Sequence, residues 1–119
     1  FFDRGAEELP RFDVIQLGIG EDGHTASLFP GEPYIDNRES VAAAVYSTKT
    51  AQWRITLLPG VLLATRGLVV LACGAEKAEP VWQAWHGELD PMKCPAQLIA
   101  REAENVDWFL DEAAAARLV

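Results

Sequence analysis

The residues able to do chemistry crowd into one stretch, Leu17-Gly18-Ile19-Gly20-Glu21-Asp22-Gly23-His24-Thr25-Ala26-Ser27-Leu28-Phe29-Pro30-Gly31. An imidazole titrates near neutrality, so a residue such as His24 can take a proton from water and later return one to a leaving group. Asp22, two positions earlier, is a carboxylate able to orient that ring. Gly18, Gly20 and Gly23 allow the backbone to approach a ligand closely and leave N–H groups to face it. Taken singly, these residues read as a tight turn with a surface Asp and a capping His; the coincidence of strand, glycines, Asp22 and His24 favours a site. Two cations are placed to hold an anion, Arg54 at the opening of a strand and Lys77 at the opening of a helix. A helix N-terminus already favours an anion, and a Lys in its first turn is electrostatically misplaced unless an anion such as phosphate compensates it. The alternative for Lys77 is an exposed pair with Glu76, Glu79 or Glu88, which contributes little.

These groups need a scaffold. The apolar run from Phe12 to Gly18 reads as a buried strand, and His24 to Phe29 as about a turn of helix ended by Pro30-Gly31. Gly31 to Ser40 reads as a surface loop, Val41–Tyr46 and Trp53–Leu58 as strands, and Val61–Thr65 as helix. Leu68 to Cys73 is the clearest buried strand, closed by Gly74. A helix follows from Ala75 to Trp85, with Ala78, Val81, Trp82 and Trp85 on one face and Pro80 tolerated near the first turn. Ala96–Ile99 suggests a short helix, Val106–Leu110 a strand, and Asp111 an N-cap for a helix from Glu112 to Leu118. Strands alternating with helices predict a single α/β domain over residues 1–119, with an open, largely parallel sheet and helices on both faces. Ligands in such folds sit beyond the carboxyl ends of the strands, so Gly18 and Gly74 should share one rim.

Composition narrows the function. The chain has 119 residues, is 50% hydrophobic and carries a formal net charge of −8. That charge repels nucleic-acid phosphates and anionic lipid surfaces, and an anionic substrate must be held by a few local cations. No run reaches the roughly 20 apolar residues of a membrane helix. Phe1-Phe2-Asp3 has no signal-peptide features and reads as a chain cut in mid-protein. Cys73 and Cys94 lack CxxC spacing, which suits a reducing cytoplasm. Gly18-x-Gly20-x-x-Gly23 fits the dinucleotide fingerprint, but Pro30-Gly31 comes too soon for the long helix that NAD binding requires. Glu21 and Asp22, as chain neighbours, point apart and do not suit two-carboxylate glycoside hydrolysis. Trp82, Trp85, Trp108 and Phe109 read as core rather than as sugar-stacking residues.

The stretch Gly18 to Gly31 resembles the signature of the 6-phosphogluconolactonase family. Arg54-Ile55-Thr56-Leu57, then Leu71 to Ala78, Pro95 to Leu98 and Trp108 to Ala113 resemble further segments of that family in the same order. The resemblance implies a Rossmann-like α/β sheet of the sugar-phosphate isomerase type, shared with glucosamine-6-phosphate deaminases and ribose-5-phosphate isomerases. It implies hydrolysis of 6-phospho-D-glucono-1,5-lactone in the pentose phosphate pathway, with a small sugar-phosphate substrate and no metal or organic cofactor. By the same resemblance, His24 is the catalytic residue with Asp22 beside it. Gly18, Gly20 and Gly23 form the substrate loop, Arg54 and Lys77 bind the phosphate, and the chain is the C-terminal half of a longer lactonase. Leu58 and Leu63 depart from the family pattern at positions expected to pack rather than react. Two alternatives stay open. A deaminase would need an Asn-Glu-Pro where Leu28-Phe29-Pro30 stands, and a noncatalytic sugar-phosphate-binding module would keep Arg54 and Lys77 without turnover.

Overall fold

The computed structural model describes residues 9–118. The strands are β1 (Ile15–Leu17), β2 (Ala42–Ser47), β3 (Gln52–Leu57), β4 (Leu68–Ala72) and β5 (Val106–Leu110). The helices are α1 (Pro59–Ala64), α2 (Ala78–His86) and α3 (Ala96–Glu102), with 3-10 turns at Pro33–Asp36 and Ala75–Lys77. β4 lies between β1 and β5 in a three-stranded parallel sheet, with Leu17 opposite Val70 and Ala72 opposite Leu110. Side chains alternate across a strand, and Leu68, Val70 and Ala72 turn to the buried face. There Leu68 and Val70 meet Leu58 and Leu62 of the α1 segment, Leu98 and Ile99 of α3, and Leu28 and Ile35 from the loops. Ala72 joins Ile19, Val81 and Ala84 of α2, and Ala96 in a second cluster.

The α/β class and parallel pairing agree with the sequence, and several local expectations are corrected. On the opposite face of the sheet Leu71 is 42% and Phe109 57% exposed, so the described residues supply a helical layer on one face only. β2 and β3 pair antiparallel with each other in a separate two-stranded sheet. The physical reason is the connection: a turn over residues 48–51 is far too short for a parallel crossover. Residues 24–29 are turns with a Thr25–Leu28 bridge and Ala26 at a φ of 51°, because the segment bends to bury Leu28 instead of winding as a helix. Within the expected surface loop, the 3-10 turn at Pro33–Asp36 plants Ile35 in the core.

The helix read from Ala75 begins as a 3-10 turn and becomes α-helical at Ala78, which leaves Pro80 in the first turn where its missing N–H costs nothing. After β5 the chain forms turns rather than a helix, although Asp111 does cap them: Ala114 N–H donates to its Oδ1 at 2.8 Å and Gly74 N–H at 3.1 Å. Trp85 and Phe109 are exposed rather than core, while Trp82 and Trp108 are half-buried. Among the described residues no helix is long and apolar enough to cross a membrane.

α3 is locked to the end of α2 by polar groups. The buried Gln97 accepts a hydrogen bond from Asp90 N–H at 2.7 Å and donates to the carbonyls of Gln83 at 3.1 Å and Glu88 at 3.0 Å. Arg101 donates through Nε to the Ala84 carbonyl at 3.1 Å and through its terminal nitrogen to Gly87, so the unpaired carbonyls at the end of α2 are satisfied by side chains. Replacing Gln97 by Ala strands these buried groups. The variant should be less stable by about 2–3 kcal/mol in urea denaturation, and an unshifted midpoint would show that the contacts carry no net stability.

Candidate active site

The carboxyl ends of β1 and β4 open on one rim, as expected for Gly18 and Gly74. Beyond them lies a cavity of about 340 Å3 whose lining includes Gly18, Ile19, Gly20, His24, Ala26 and Lys77. The loop that forms it is folded on itself. Thr25 Oγ1 donates to the Gly18 carbonyl at 2.8 Å, Gly20 N–H to the His24 carbonyl at 2.8 Å, and Gly23 N–H to the Gly20 carbonyl at 2.9 Å. The N–H groups of Gly20 and Gly23 are thus used inside the loop and are not turned to a ligand, contrary to the expectation from the glycine spacing.

Two glycines are required for reasons of space. A Cβ on Gly20 would stand 2.1 Å from Cε1 and Nδ1 of the His24 ring, so the ring lies where only glycine leaves room. Gly23 has a φ of +88°, and a Cβ there would meet Cys94 Sγ at 2.9 Å. Its carbonyl accepts from Ala96 N–H at 2.9 Å, which ties the loop to the start of α3. Gly23 therefore shapes the loop without lining the cavity. Cys94 is buried, and that burial pushes its thiol above the ordinary value.

His24 Nδ1 lies 2.5 Å from Asp22 Oδ1, and His24 N–H donates to the same oxygen at 3.0 Å. Partial burial raises the Asp22 carboxyl, but the two hydrogen bonds from His24 and the nearby His24 and Lys49 charges outweigh it and hold it below its usual 3.8. An ionised carboxylate can only accept, so Nδ1 carries a proton and, in the neutral form of the ring, the lone pair lies on Nε2. Phe29 packs on the ring with centroids 4.9 Å apart. Lys49, which no motif or spacing marks, stands 3.5 Å from Asp22 Oδ2.

Lys77 Nζ donates to the Ile19 carbonyl at 2.6 Å rather than pairing with Glu76, Glu79 or Glu88. Glu79 is instead engaged by Arg117 and Gln83. The lysine therefore projects over the loop and into the cavity wall. Arg54 is exposed within β3 and is not part of that wall. Strand alternation puts it on the face of Thr56, whose Oγ1 accepts from Ser27 N–H at 3.0 Å, so it shares the side of the hairpin that carries the loop. Leu58 is buried in the core and Leu63 packs against it, as their types led one to expect. Among the described residues no three His, Cys, Asp or Glu side chains gather to hold a metal ion.

Glycine-ended parallel strands around a His–Asp pair and a lysine define an α/β protein with a cavity at the carboxyl edge of its sheet, the position where such folds bind ligands. The chain belongs to the glucosamine-6-phosphate isomerases/6-phosphogluconolactonase family, which it matches over residues 2–108. It is 40% identical to the 6-phosphogluconolactonase of Bos taurus over 92% of this chain and 42% of that protein. It is 36% identical to the one from Synechocystis over 99% of this chain and 48% of that protein. The solved 6-phosphogluconolactonase of Trypanosoma brucei superimposes with a TM-score of 0.79 at 36% identity, covering 92% of this chain and 43% of that one. The chain thus spans less than half the length of these relatives. A monomeric glucosamine-6-phosphate deaminase, with a TM-score of 0.72 at 23% identity, shares the fold.

The Gly20 contact yields a direct test. Gly20→Ala should push the imidazole off Asp22 while leaving stability within about 1 kcal/mol, because the ring is near the surface and can swing outward. A crystal structure of the variant with the 2.5 Å contact intact would contradict this account of Gly20.

Proposed function

We propose that this chain carries the general base of a 6-phosphogluconolactonase, hydrolysing 6-phospho-D-glucono-1,5-lactone to 6-phospho-D-gluconate in the pentose phosphate pathway. In this reading it is the C-terminal part of a longer lactonase acting in the cytoplasm. The observation that carries the proposal is the 2.5 Å contact from Asp22 to His24, whose ring lines a cavity that Lys77 also lines. Family membership and the 40% identity to a named lactonase support it.

Asp22 keeps the proton on Nδ1, and Nε2 takes a proton from water as its oxygen attacks the lactone carbonyl carbon. A tetrahedral intermediate forms with its negative charge on the former carbonyl oxygen. When it collapses, the bond from that carbon to the ring oxygen breaks, and the imidazolium returns its proton to the ring oxygen. The products are the carboxylic acid, which ionises, and the free 5-hydroxyl. Lys77 spends one of three ammonium donors on Ile19 and has two left for the substrate phosphate, and Arg54 supplies the second cation. A deaminase reading is less well supported, since Leu28, which is fully buried, and Phe29 stand where that chemistry would need an acid.

In the full-length protein His24→Gln should lower turnover by about 10²- to 10⁴-fold once spontaneous lactone hydrolysis is subtracted, with the fold and phosphate affinity retained. Wild-type turnover in a folded, phosphate-binding His24→Gln protein would reduce His24 to a structural turn residue. Lys77→Ala should weaken substrate binding about tenfold or more, as loss of a charge-assisted phosphate contact does. Equilibrium binding of 6-phosphogluconate measures it, and unchanged affinity would remove Lys77 from the phosphate site.

A further inference from the structure

The carboxylate of Asp22 is held from two sides. Oδ1 takes both contacts from His24, and Oδ2 faces Lys49 Nζ at 3.5 Å. Lys49 belongs to the turn joining β2 to β3, which the chain brings back over the loop through Thr56 and Ser27. A second cavity of about 260 Å3 lies between the turn and the loop, and its wall includes Asp22, Phe29, Glu32, Ser47 and Lys49. Although Glu32 shares that wall, the ion pair of Lys49 is with Asp22. The side chain of Lys49 is 65% exposed, so the fold does not need it for packing.

We propose that Lys49 is a positioning residue for the His–Asp pair: its ammonium fixes the rotation of the Asp22 carboxylate and biases the pair against taking up a further proton. The inference rests on the lactonase reading for its effect on turnover, but not for its effect on Asp22. A cation beside the pair opposes protonation, and its removal makes the protonated pair easier to form. The other charged groups around Asp22 are His24 in its own loop, Glu32 across the second cavity, and Glu21, Glu79 of α2 and Lys93 around a third cavity that Asp22 also lines. Of these, Glu79 is occupied by Arg117 and Gln83, and none but His24 and Lys49 is in ion-pair contact with Asp22 among the described residues.

The test uses Lys49→Met and Lys49→Arg in the full-length protein. In Lys49→Met the acid limb of kcat/KM should move up by about 0.2–0.6 pH unit at low salt, the range expected for an exposed ion pair. The Asp22 carboxyl titration, followed by carbon NMR, should move in the same direction. Lys49→Arg should restore both. In about 1 M salt, where the Debye length falls to about 3 Å, the difference between wild type and Lys49→Met should shrink. An Asp22 titration and acid limb unchanged in Lys49→Met, or a drop in activity that Lys49→Arg does not rescue, would overturn the proposal. Failure of the lactonase reading would be distinct, since Asp22 would still respond to Lys49 while turnover survived in His24→Gln.

Discussion

The site hangs on the absence of a side chain at Gly20. The imidazole of His24 occupies the volume a β-carbon would take, and from there it reaches the Asp22 carboxylate at 2.5 Å. Every other feature of the loop serves that approach. Internal hydrogen bonds close the turn, Gly23 takes a left-handed conformation against Cys94, and Leu28 is driven into the core just beyond. The cost is that the loop consumes two of its own N–H groups. In the proposed reaction, stabilisation of a developing oxyanion comes from other donors than those of Gly20 and Gly23.

The rigidity of the loop comes from elsewhere in the chain. The start of α3 grips Gly23 through the N–H of Ala96, and α3 is itself bound to the end of α2 by Gln97 and Arg101. The 3-10 turn before α2 delivers Lys77 to the Ile19 carbonyl, so both walls of the cavity lead back to the same pair of helices. Loss of a buried polar contact between α2 and α3 would thus be felt at Gly23 as well as in stability, while the far end of the loop keeps its own ties through Ser27 to Thr56 and through the buried Leu28.

Electrostatics act locally against a repulsive background. With a net charge of −8 the chain as a whole disfavours an anionic ligand, and the cavity offsets this with one lysine in its wall. The exposed Arg54 lies on the hairpin, on the side that carries the loop, and Lys49 sits at the hairpin turn. The hairpin therefore brings Lys49 to the His–Asp pair, while Arg54 stays outside the cavity wall that Lys77 lines. That division gives the separate two-stranded sheet a role in the site, although it shares no strand pairing with the parallel sheet.

The sequence by itself determined the strand ends, the glycine loop, the His–Asp pair and the lysine after Gly74, because each depends on residues close in the chain. Strand alternation and glycine punctuation are local properties, and β4 and β5 follow them closely, whereas the run from Phe12 to Gly18 is a strand only over Ile15–Leu17, with Leu17 buried. Three matters were decided only by tertiary structure. The segment after His24 gave up its helical turn because burying Leu28 fixed its path. β2 and β3 left the parallel sheet because their short connection forbids a crossover, which also moved Arg54 from the rim onto a hairpin. Lys49 came to Asp22 across a gap of 27 residues, and no spacing rule marks such a contact, since it arises only when the hairpin folds back over the loop.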